Sequence, residues 1–334
     1  MSSDIVKGKG QAAAIATRGL SKKFEELTAV EDLSLEVAPG EVFGFLGPNG
    51  AGKTTTVRML AALIAPSAGE AWVGGLKIGE ADSEIRRHVG LLTESPGLYE
   101  QWSPKENLLF FAQLYGMSRG DAEKQIESYL RRLDLWERRD DPVSGYSKGM
   151  KQKVALARAL VHRPSVVFLD EPSAGLDPES TQVVHSFIEE MRSEQRTIFL
   201  CTHNLDEAQR LCDRVAIFRH KIIRVGSPVE LRRSLYGRQV EIRLANAVDT
   251  DRLVTLAKTL PFTKSALNGT PGRIVLELQD IDSQVPQLVH ALDSAGAQIW
   301  RVAEVEHSLE SAYLDLVKGA ESASGKPEDG GVKS

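Results

Sequence analysis

The sequence predicts an α/β protein with a mainly parallel β-sheet, followed by a smaller α+β domain. Three observations indicate this fold class. Short apolar runs end in glycine or an acidic residue, as buried parallel strands do. Helical segments alternate with these runs. A glycine-rich phosphate-binding motif, Gly47–Thr54, follows one of the runs and precedes a helix. The 334 residues are enough for two domains.

Composition restricts the class of protein and its partners. The chain is 42% apolar and 26% charged, so it can bury an ordinary core. The 41 basic and 46 acidic residues give a net charge of −5, which gives no reason to expect nucleic acid or an anionic membrane as a partner. The 2 cysteines, Cys201 and Cys212, lack metal-ligand spacing and are interpreted as reduced, mostly buried thiols of a cytoplasmic protein.

No apolar run approaches the roughly 18 residues that a membrane span needs. The N-terminal "AAAIA" is also shorter than the apolar core of a signal peptide. The sequence therefore predicts a chain that neither spans a membrane nor is secreted. Any work at a membrane would need a separate subunit to hold it there.

The first domain is expected over residues 15–230, after a flexible arm of residues 1–14. Its strands are predicted at "EVFGFLG", "VGLLTE", "SVVFLDE", "TIFLCTH" and "RVAIF". Helices such as "NLLFFAQLYG" and "DAEKQIESYLRRLDL" lie between them. This alternation indicates a parallel sheet covered by helices.

The second domain is expected over residues 238–318, before a disordered tail of residues 321–334 rich in small and charged residues. "QVEIRLA", a hairpin around "GTPG" and "AQIWRVAEVE" are predicted strands, and "TDRLVTLAKTL", "DSQVPQLVHALDSAG" and "SLESAYLDLVKG" are predicted helices. The order βαββαβ indicates a small ferredoxin-like domain.

The motif Gly47–Thr54, "GPNGAGKT", fits the pattern G-x-x-x-x-G-K-[ST] in full. Gly47, Gly50 and Gly52 let the backbone turn so that its N–H groups converge on an anion. The following helix adds the partial positive charge of its N-terminus. Lys53 is predicted to reach the β- and γ-phosphates of a nucleotide, and Thr54 to bind Mg²⁺.

Two adjacent acids at the end of an apolar strand complete this predicted site. Asp170 is expected to hold Mg²⁺ through water. Glu171 follows on the opposite side of the strand direction and can polarise an attacking water as general base. A buried pair of adjacent acids is costly without a cation, which favours the metal interpretation over a structural one.

A second glycine-rich segment, "GYSKGM" at residues 145–150, also matches the serine hydrolase pattern G-x-S-x-G. That pattern requires an apolar strand just before it, and "RRDDPVS" cannot be one. Ser147 is instead predicted to cap the helix "KGMKQKVALARALV". A capped helix N-terminus beside glycines can bind phosphate, although it can also be an ordinary surface helix.

With these motifs in order, residues 15–230 resemble the ATP-binding subunit of ABC transporters. Phe24 lies where that family has an aromatic that stacks on adenine. Gly47–Thr54 is similar to the Walker A loop, "YSKGM" to the signature loop and Val166–Asp170 to Walker B. Glu171 would be the catalytic glutamate of that family. Ser173–Asp177 is similar to the D-loop, and "CTHNLDEA" to the switch segment, whose histidine, here His203, contacts the γ-phosphate.

The resemblance implies ATP and Mg²⁺ as ligands and a head-to-tail pair of cassettes with two ATP molecules between them. Ser147 and the Gly149 N–H would serve the γ-phosphate held by the partner cassette. Catalytic roles are implied for Lys53, Glu171 and His203, and Mg²⁺ would be held by Thr54, Asp170 and Glu94. The other implied nucleotide contacts are Phe24, Gly47, Pro48, Asn49, Gly50, Ala51, Gly52, Thr55, Met150 and Asp177.

Two segments depart from the family pattern. The signature has Lys148 and Met150 where glycine and glutamine are usual, a form similar to that of the drug- and sodium-efflux branch. Glu94 stands where the family has a glutamine that contacts Mg²⁺. Glutamate keeps an oxygen ligand but loses the amide donor. A metal role and a solvated loop acid both stay open for Glu94.

The resemblance implies the energy-coupling subunit of an exporter, a peripheral protein on the cytoplasmic side of the cell membrane. Its transmembrane permease would dock near "SPGLYEQWSPKENLLFFAQLYG". The rival class is an ATPase of this type that acts on ribosomes or DNA. One cassette, no heptads and net acidity count against that class. A non-catalytic regulator would be expected to lack Glu171 or His203. For the C-terminal domain, ligand binding, dimer support and bulk stay open.

Overall fold

The computed structural model describes residues 13–236, 238–246, 250–268, 270–305 and 308–324. The chain divides into two compact units, Met1–Pro228 and Val229–Ser334. The predicted arm falls almost wholly outside the described residues, as does the predicted tail from residue 325 onward. The last described helix continues to Ser324, past the predicted start of that tail at residue 321.

The first unit alternates strands and helices along the chain. Its strands are β1 (Ile15–Phe24), β2 (Leu27–Val37), β3 (Val42–Leu46), β4 (Ala68–Val73), β5 (Leu76–Lys77), β6 (Val89–Leu92), β7 (Val166–Asp170), β8 (Thr197–Thr202), β9 (Arg214–Arg219) and β10 (Lys221–Gly226). Its helices are α1 (Lys53–Leu60), α2 (Asp82–His88), α3 (Pro104–Leu114), α4 (Arg119–Arg132), α5 (Lys148–Leu160), α6 (Pro178–Ser193) and α7 (Leu205–Leu211). Short 3₁₀ turns cover Trp136–Arg138 and Val143–Gly145.

The strands that the sequence predicts form one sheet. Within the described residues it has six strands in the order β10-β9-β3-β8-β7-β6. All neighbouring pairs are parallel except the β9–β10 pair at one edge. β3, β7 and β8 are buried along their whole length. This accounts for their continuous apolar runs, because both faces of the sheet are covered.

A cluster of phenylalanine rings fills the core beside this sheet. Phe45 packs against Phe199 and Phe218, with ring centroids 5.1 and 4.4 Å apart. Phe199 also contacts Phe43 and Phe168. All five side chains are buried. Each large apolar side chain buried in this way contributes roughly 1.5–3 kcal/mol, so the carboxyl ends of β3 and β7 have a rigid base.

A second sheet in this unit was not among the sequence predictions. β1, β2, β4 and β5 form an antiparallel sheet in the order β2-β1-β4-β5. β1 is only half buried, and its pairing with β2 has several register shifts. The helical region lies between β6 and β7 in the chain, where α3 packs against α4 and α5. The α/β cassette with a parallel core and a helical region is therefore confirmed, with an antiparallel sheet added.

The second unit has its own apolar core. Its elements are α8 (Pro228–Tyr236), β11 (Arg238–Leu244), α9 (Thr250–Thr259), β12 (Thr263–Asn268), β13 (Arg273–Leu278), α10 (Ile281–Ser294), β14 (Ile299–Glu304) and α11 (Leu309–Ser324). The strands are antiparallel in the order β12-β13-β11-β14. This is the strand order of a split βαβ, ferredoxin-like unit, and β12 and β13 form the hairpin expected around residues 269–272.

Candidate functional site

The glycine-rich loop connects β3 to α1 and lines a cavity of about 480 Å³. Its backbone fits closely against neighbouring strands. A Cβ on Gly47 would lie 2.3 Å from the Phe218 carbonyl oxygen, and one on Gly52 would lie 2.2 Å from that of Ala29. Gly52 also has a φ of +101°, which disfavours any other residue. Glycine is therefore required at both positions. The N-terminus of α1, which follows the loop, faces the cavity.

Lys53, the first residue of α1, is buried and turned toward the loop. Its Nζ donates to the carbonyl oxygens of Gly47 at 2.7 Å and Pro48 at 3.3 Å. It also forms an ion pair of 3.1 Å with Glu171 Oε1. The structure thus places a cation at the floor of the cavity, between the loop and the carboxylate at the end of β7.

Thr54 and Asp170 meet beside this lysine. Thr54 Oγ1 donates to Asp170 Oδ2 at 2.7 Å. Asp170 Oδ1 is buried and has no hydrogen-bond partner among the described residues. Burial raises the pKa of the Asp170 carboxyl above its ordinary value, and the nearby charge of Glu171 raises it further. A buried oxygen without a partner beside a hydroxyl is suited to a hard cation.

The oxygens of Thr54 and Asp170 fit Mg²⁺ on these grounds. The described residues contain no cluster of three or more His, Cys, Asp or Glu side chains that could hold a metal by themselves. Mg²⁺ is commonly held by one or two protein oxygens together with phosphates and water, so this small set is sufficient. Glu94 lines the same cavity, and its charge also raises the pKa of Asp170. The structure therefore brings all three predicted metal residues to one place.

Glu171 takes its direction from a turn and not from the strand. The sequence argument assigned its position to alternation along β7, but β7 ends at Asp170. Glu171 has a φ of +53°, which is uncommon for a residue other than glycine. Its N–H donates to the Cys201 carbonyl oxygen at 2.9 Å. The correction is that this left-handed turn, anchored on β8, aims the carboxylate into the cavity.

His203 completes the group at the end of β8. Its Nδ1 lies 2.9 Å from Glu171 Oε2, while Glu171 Oε1 contacts Lys53. The imidazole is about half exposed, whereas the Glu171 side chain is 11% exposed. One carboxylate thus lies between a buried ammonium and a solvent-facing imidazole at the mouth of the cavity.

Phe24 and two residues that the sequence argument did not name form the apolar end of the cavity. Phe24 lies at the end of β1 and is 45% exposed. Leu27 and Ala29, on β2, line the cavity beside it. Lys22 Nζ lies 4.9 Å from the centre of the Phe24 ring. Leu27 could have been found from its position three residues after Phe24, as an apolar residue in an otherwise polar segment.

The second glycine-rich segment lies apart from this cavity. Ser147 is the N-cap of α5, and its Oγ accepts from the Met150 N–H at 3.2 Å. A 3₁₀ turn and Pro142 precede it in place of a strand, so it is not a hydrolase elbow. Asp177 caps α6 by accepting from the Ser180 N–H, and a Cβ on Gly149 would lie 2.4 Å from Ser180 Oγ. Of the described residues that line the cavity, none is Ser147, Gly149, Met150 or Asp177.

Both cysteines are free and buried. Burial raises the pKa of each thiol well above its ordinary value, so neither is a reactive thiolate near neutral pH. In the described part of the chain, no helix is long and apolar enough to cross a lipid bilayer.

This arrangement is that of a P-loop ATPase site. The glycine-rich loop leads into a helix, the threonine hydroxyl pairs with the strand-end aspartate, and the glutamate contacts a histidine. Comparison with known proteins agrees with this class. The sequence model of the ABC transporter family matches residues 30–174. The ABC transporter ATP-binding protein NatA of Bacillus subtilis (strain 168) is 42% identical over 200 residues, which cover 60% of this chain and 81% of NatA.

Two further similarities extend the comparison. The daunorubicin resistance ATP-binding protein DrrA3 of Streptomyces coeruleorubidus is 32% identical over 304 residues, covering 91% of this chain and 95% of DrrA3. A solved ATP-binding subunit of an ABC transporter superposes with a TM-score of 0.63 at 30% identity, covering 67% of this chain and 94% of that structure.

The chain belongs to the ABC transporter family, as its ATP-binding subunit. It is an ATPase that uses ATP and Mg²⁺ and that works with a second cassette and a membrane permease. The resemblance drawn from the sequence is thereby confirmed, as are the cofactors and the partner subunits.

Proposed function

We propose that this chain powers the export of drugs, antibiotics or other small molecules or ions through a permease, from the cytoplasmic side of the cell membrane. The contact of one carboxylate, Glu171, with both Lys53 and His203 at the mouth of the cavity carries the catalytic part of this proposal. The similarity to a daunorubicin resistance protein over nearly the whole chain supports the exporter part.

The residues of the cavity divide into those that bind the nucleotide and those that act in its hydrolysis. The loop N–H groups and the N-terminus of α1 bind the phosphates, and the Phe24–Leu27–Ala29 end holds the nucleobase. Lys53 leaves its carbonyl partners and Glu171 to bind the β- and γ-phosphates. Thr54 and Asp170, with Glu94 nearby, hold Mg²⁺, which neutralises phosphate charge when bound. Glu171 then accepts a proton from the attacking water.

The contact between Lys53 and Glu171 links nucleotide binding to this base. In the structure the lysine occupies one carboxylate oxygen of Glu171. Phosphates compete for the same ammonium, because an ion pair with several phosphate oxygens is stronger than one with a single carboxylate oxygen. ATP therefore frees the Glu171 oxygen that faces the loop, while His203 continues to orient the other oxygen.

The second glycine-rich segment acts on the nucleotide of another cassette. Ser147 is exposed at the N-terminus of α5, yet it lies outside the cavity of its own chain. Two copies related by a two-fold axis would each place this N-terminus over the nucleotide of the other. ATP then contributes contacts that only the closed pair makes, and hydrolysis removes them.

The permease docks on the aromatic surface that we define as Tyr99, Trp102, Phe110, Phe111 and Leu114. Tyr99 packs on Trp102 at 4.4 Å and on the edge of Phe110 at 5.5 Å, yet it is 46% exposed. Asn107 fixes the preceding loop by bonding to the Tyr99 N–H and carbonyl oxygen. This loop includes Glu94, which lines the cavity, so the surface and the cavity share one chain segment.

Steady-state ATPase assays test the catalytic part directly. Lys53→Ala should abolish hydrolysis and weaken ATP binding, because the phosphates lose their buried cation. Lys77→Ala is the matched control and should keep full turnover, since its ammonium pairs with Glu70 and Glu80 and does not line the cavity. Full turnover in Lys53→Ala would show that the loop does not bind the hydrolysed nucleotide.

A further inference from the structure

A buried carboxylate outside the cavity connects three segments of the cassette. Glu207 lies in the first turn of α7 and its side chain is fully buried. Its Oε1 accepts from Ser173 Oγ at 2.6 Å and contacts His185 Nε2 at 3.0 Å. Its Oε2 is buried and has no partner among the described residues. Burying a carboxylate is costly unless its partners compensate, so packing alone would favour an uncharged side chain here.

Each partner of Glu207 belongs to a different part of the machinery. Ser173 begins the Ser173–Asp177 segment, and the residue before it, Pro172, accepts from Gln152 Nε2 of α5 at 3.0 Å. His185 lies on α6, the helix that Asp177 caps. One oxygen of Glu207 thus connects the Ser173–Asp177 segment, which follows Glu171, to helix α6.

The other end of the connection is the loop of His203. Asn204 accepts from the N–H groups of Asp206 and Glu207 at 3.1 Å, and its own N–H donates to Thr202 Oγ1 at 2.9 Å. His203 therefore lies between two residues that are fixed to β8 and to α7. A shift of Glu207 would move α7 and would change how His203 meets Glu171.

The arrangement of serine, histidine and glutamate here does not form a hydrolase triad. Both contacts end on Oε1 of Glu207, so the carboxylate lies between Ser173 and His185. A nucleophilic serine would need the histidine as its direct partner. The group also lies below the surface, with His185 at 9% side-chain exposure. The group therefore holds the segments of Ser173, His185 and Glu207 together and has no chemical role of its own.

We propose that Glu207, held by Ser173 and His185, is a positioning residue for ATP hydrolysis that ties the Ser173–Asp177 segment to the His203 loop. The inference rests on the proposed roles of Glu171 and His203. Closure of a second cassette over the N-terminus of α5, where Gly149 lies against Asp177 and Ser180, then acts on the Glu171–His203 contact through this carboxylate. Binding of ATP to one chain does not require the connection, because none of the three side chains lines the cavity.

The test uses the full chain and separates turnover from binding. Glu207→Gln keeps the shape and loses the charge. It should lower kcat about tenfold, with the KM for ATP, the Kd of a fluorescent ATP analogue and Tm near those of wild type. His185→Leu should lower kcat in the same way, whereas His185→Gln, whose amide can still donate to Glu207, should restore it.

Wild-type kcat in Glu207→Gln and His185→Leu would overturn the proposal. So would a parallel fall of kcat, ATP affinity and Tm in both, since that pattern marks a general loss of folding. Rescue by His185→Gln keeps the test valid even where Glu207→Gln folds poorly. Lys53→Ala is measured alongside: if turnover survives in that variant, the proposed function fails first, independently of Glu207.

Discussion

At the scale of single residues, the site depends on an unusual backbone conformation at Glu171. A residue other than glycine with a φ of +53° is strained by roughly 1–3 kcal/mol, and such strain persists only where the surroundings enforce it. Here the bond from its N–H to Cys201 and the ion pair with Lys53 hold the turn. The sequence argued for Glu171 beside Asp170, and both residues line the same cavity in the structure. It could not give the direction of the side chain, because a left-handed turn leaves no mark in the residue type.

A buried histidine away from the cavity, His162, makes the stability of the fold depend on pH. Its ring stacks on Tyr115 at 3.7 Å, and its Nε2 lies 3.1 Å from the Val89 carbonyl oxygen. Burial lowers the pKa of His162 from 6.5 to about 4. The unfolded chain therefore binds the proton more readily than the folded chain between these two values.

The contribution of His162 to the free energy of unfolding should be fully present above pH 6.5. It should be lost as the pH drops toward 4, at a cost of up to roughly 3 kcal/mol. Thermal unfolding at pH 7.5 and pH 4.5 measures the effect. His162→Phe keeps the stacked ring and removes the titration, so its Tm should change less between the two pH values. An equal loss of Tm in both proteins would assign the acid sensitivity to other groups.

At the scale of elements, the N-terminus of α5 has a structural and a functional role. Ser147 caps the helix, and the same exposed N-terminus is proposed to close over the nucleotide of the partner cassette. The helix cap and the proposed phosphate-binding role of "GYSKGM" thus involve the same residues. The helix cap was predictable from the residues themselves, whereas the separation of the segment from its own cavity was implied only by the family resemblance, because it depends on how the helical region folds back.

Ser147→Arg should stop hydrolysis without lowering the affinity of a single chain for ATP, because the bulky cation prevents closure. Loss of the cap alone costs about 1 kcal/mol of stability. Ser118→Arg is the matched control, since Ser118 caps α4 with the same geometry, 3.2 Å from the Asp121 N–H. ATPase rates with Kd values for ATP measure the two effects. Normal hydrolysis in Ser147→Arg would refute the signature role.

The aromatic surface at α3 gives a second prediction at this scale. Leu114 is 66% exposed, so Leu114→Glu should leave the fold and the basal ATPase intact. It should abolish co-purification of a polytopic permease from detergent-solubilised membranes, because a charge would enter the apolar contact. Leu63→Glu is the control, at 51% exposure just after α1. Recovery of the permease with both variants would exclude this docking surface.

The antiparallel sheet shows why some elements could not be predicted. β7 and β8 are buried at every position, and their unbroken apolar runs were clear in the sequence. β1 mixes buried and exposed positions, and its register shifts break the alternation that would mark a strand. Glu207 was hidden for a similar reason. A glutamate in the first turn of a helix is ordinarily a solvated acid, and only the packing of α6 and α7 buries it.

At the scale of the whole molecule, the two phosphate-binding segments explain why the chain works as a pair. The cavity of one chain has the loop, the metal oxygens and the base, but the α5 N-terminus of the same chain lies outside it. We infer that a second cassette supplies what is missing and that ATP holds the two cassettes together.

Light scattering of Glu171→Gln with and without ATP measures whether two chains close around ATP. The variant keeps the phosphate-binding loop and Lys53 but lacks the base, so ATP is bound and not hydrolysed. We expect the mass of one chain without nucleotide and of two chains with ATP and Mg²⁺. The dimer should be lost when Ser147→Arg is added. A Glu171→Gln chain that binds ATP and stays a monomer would contradict the shared site.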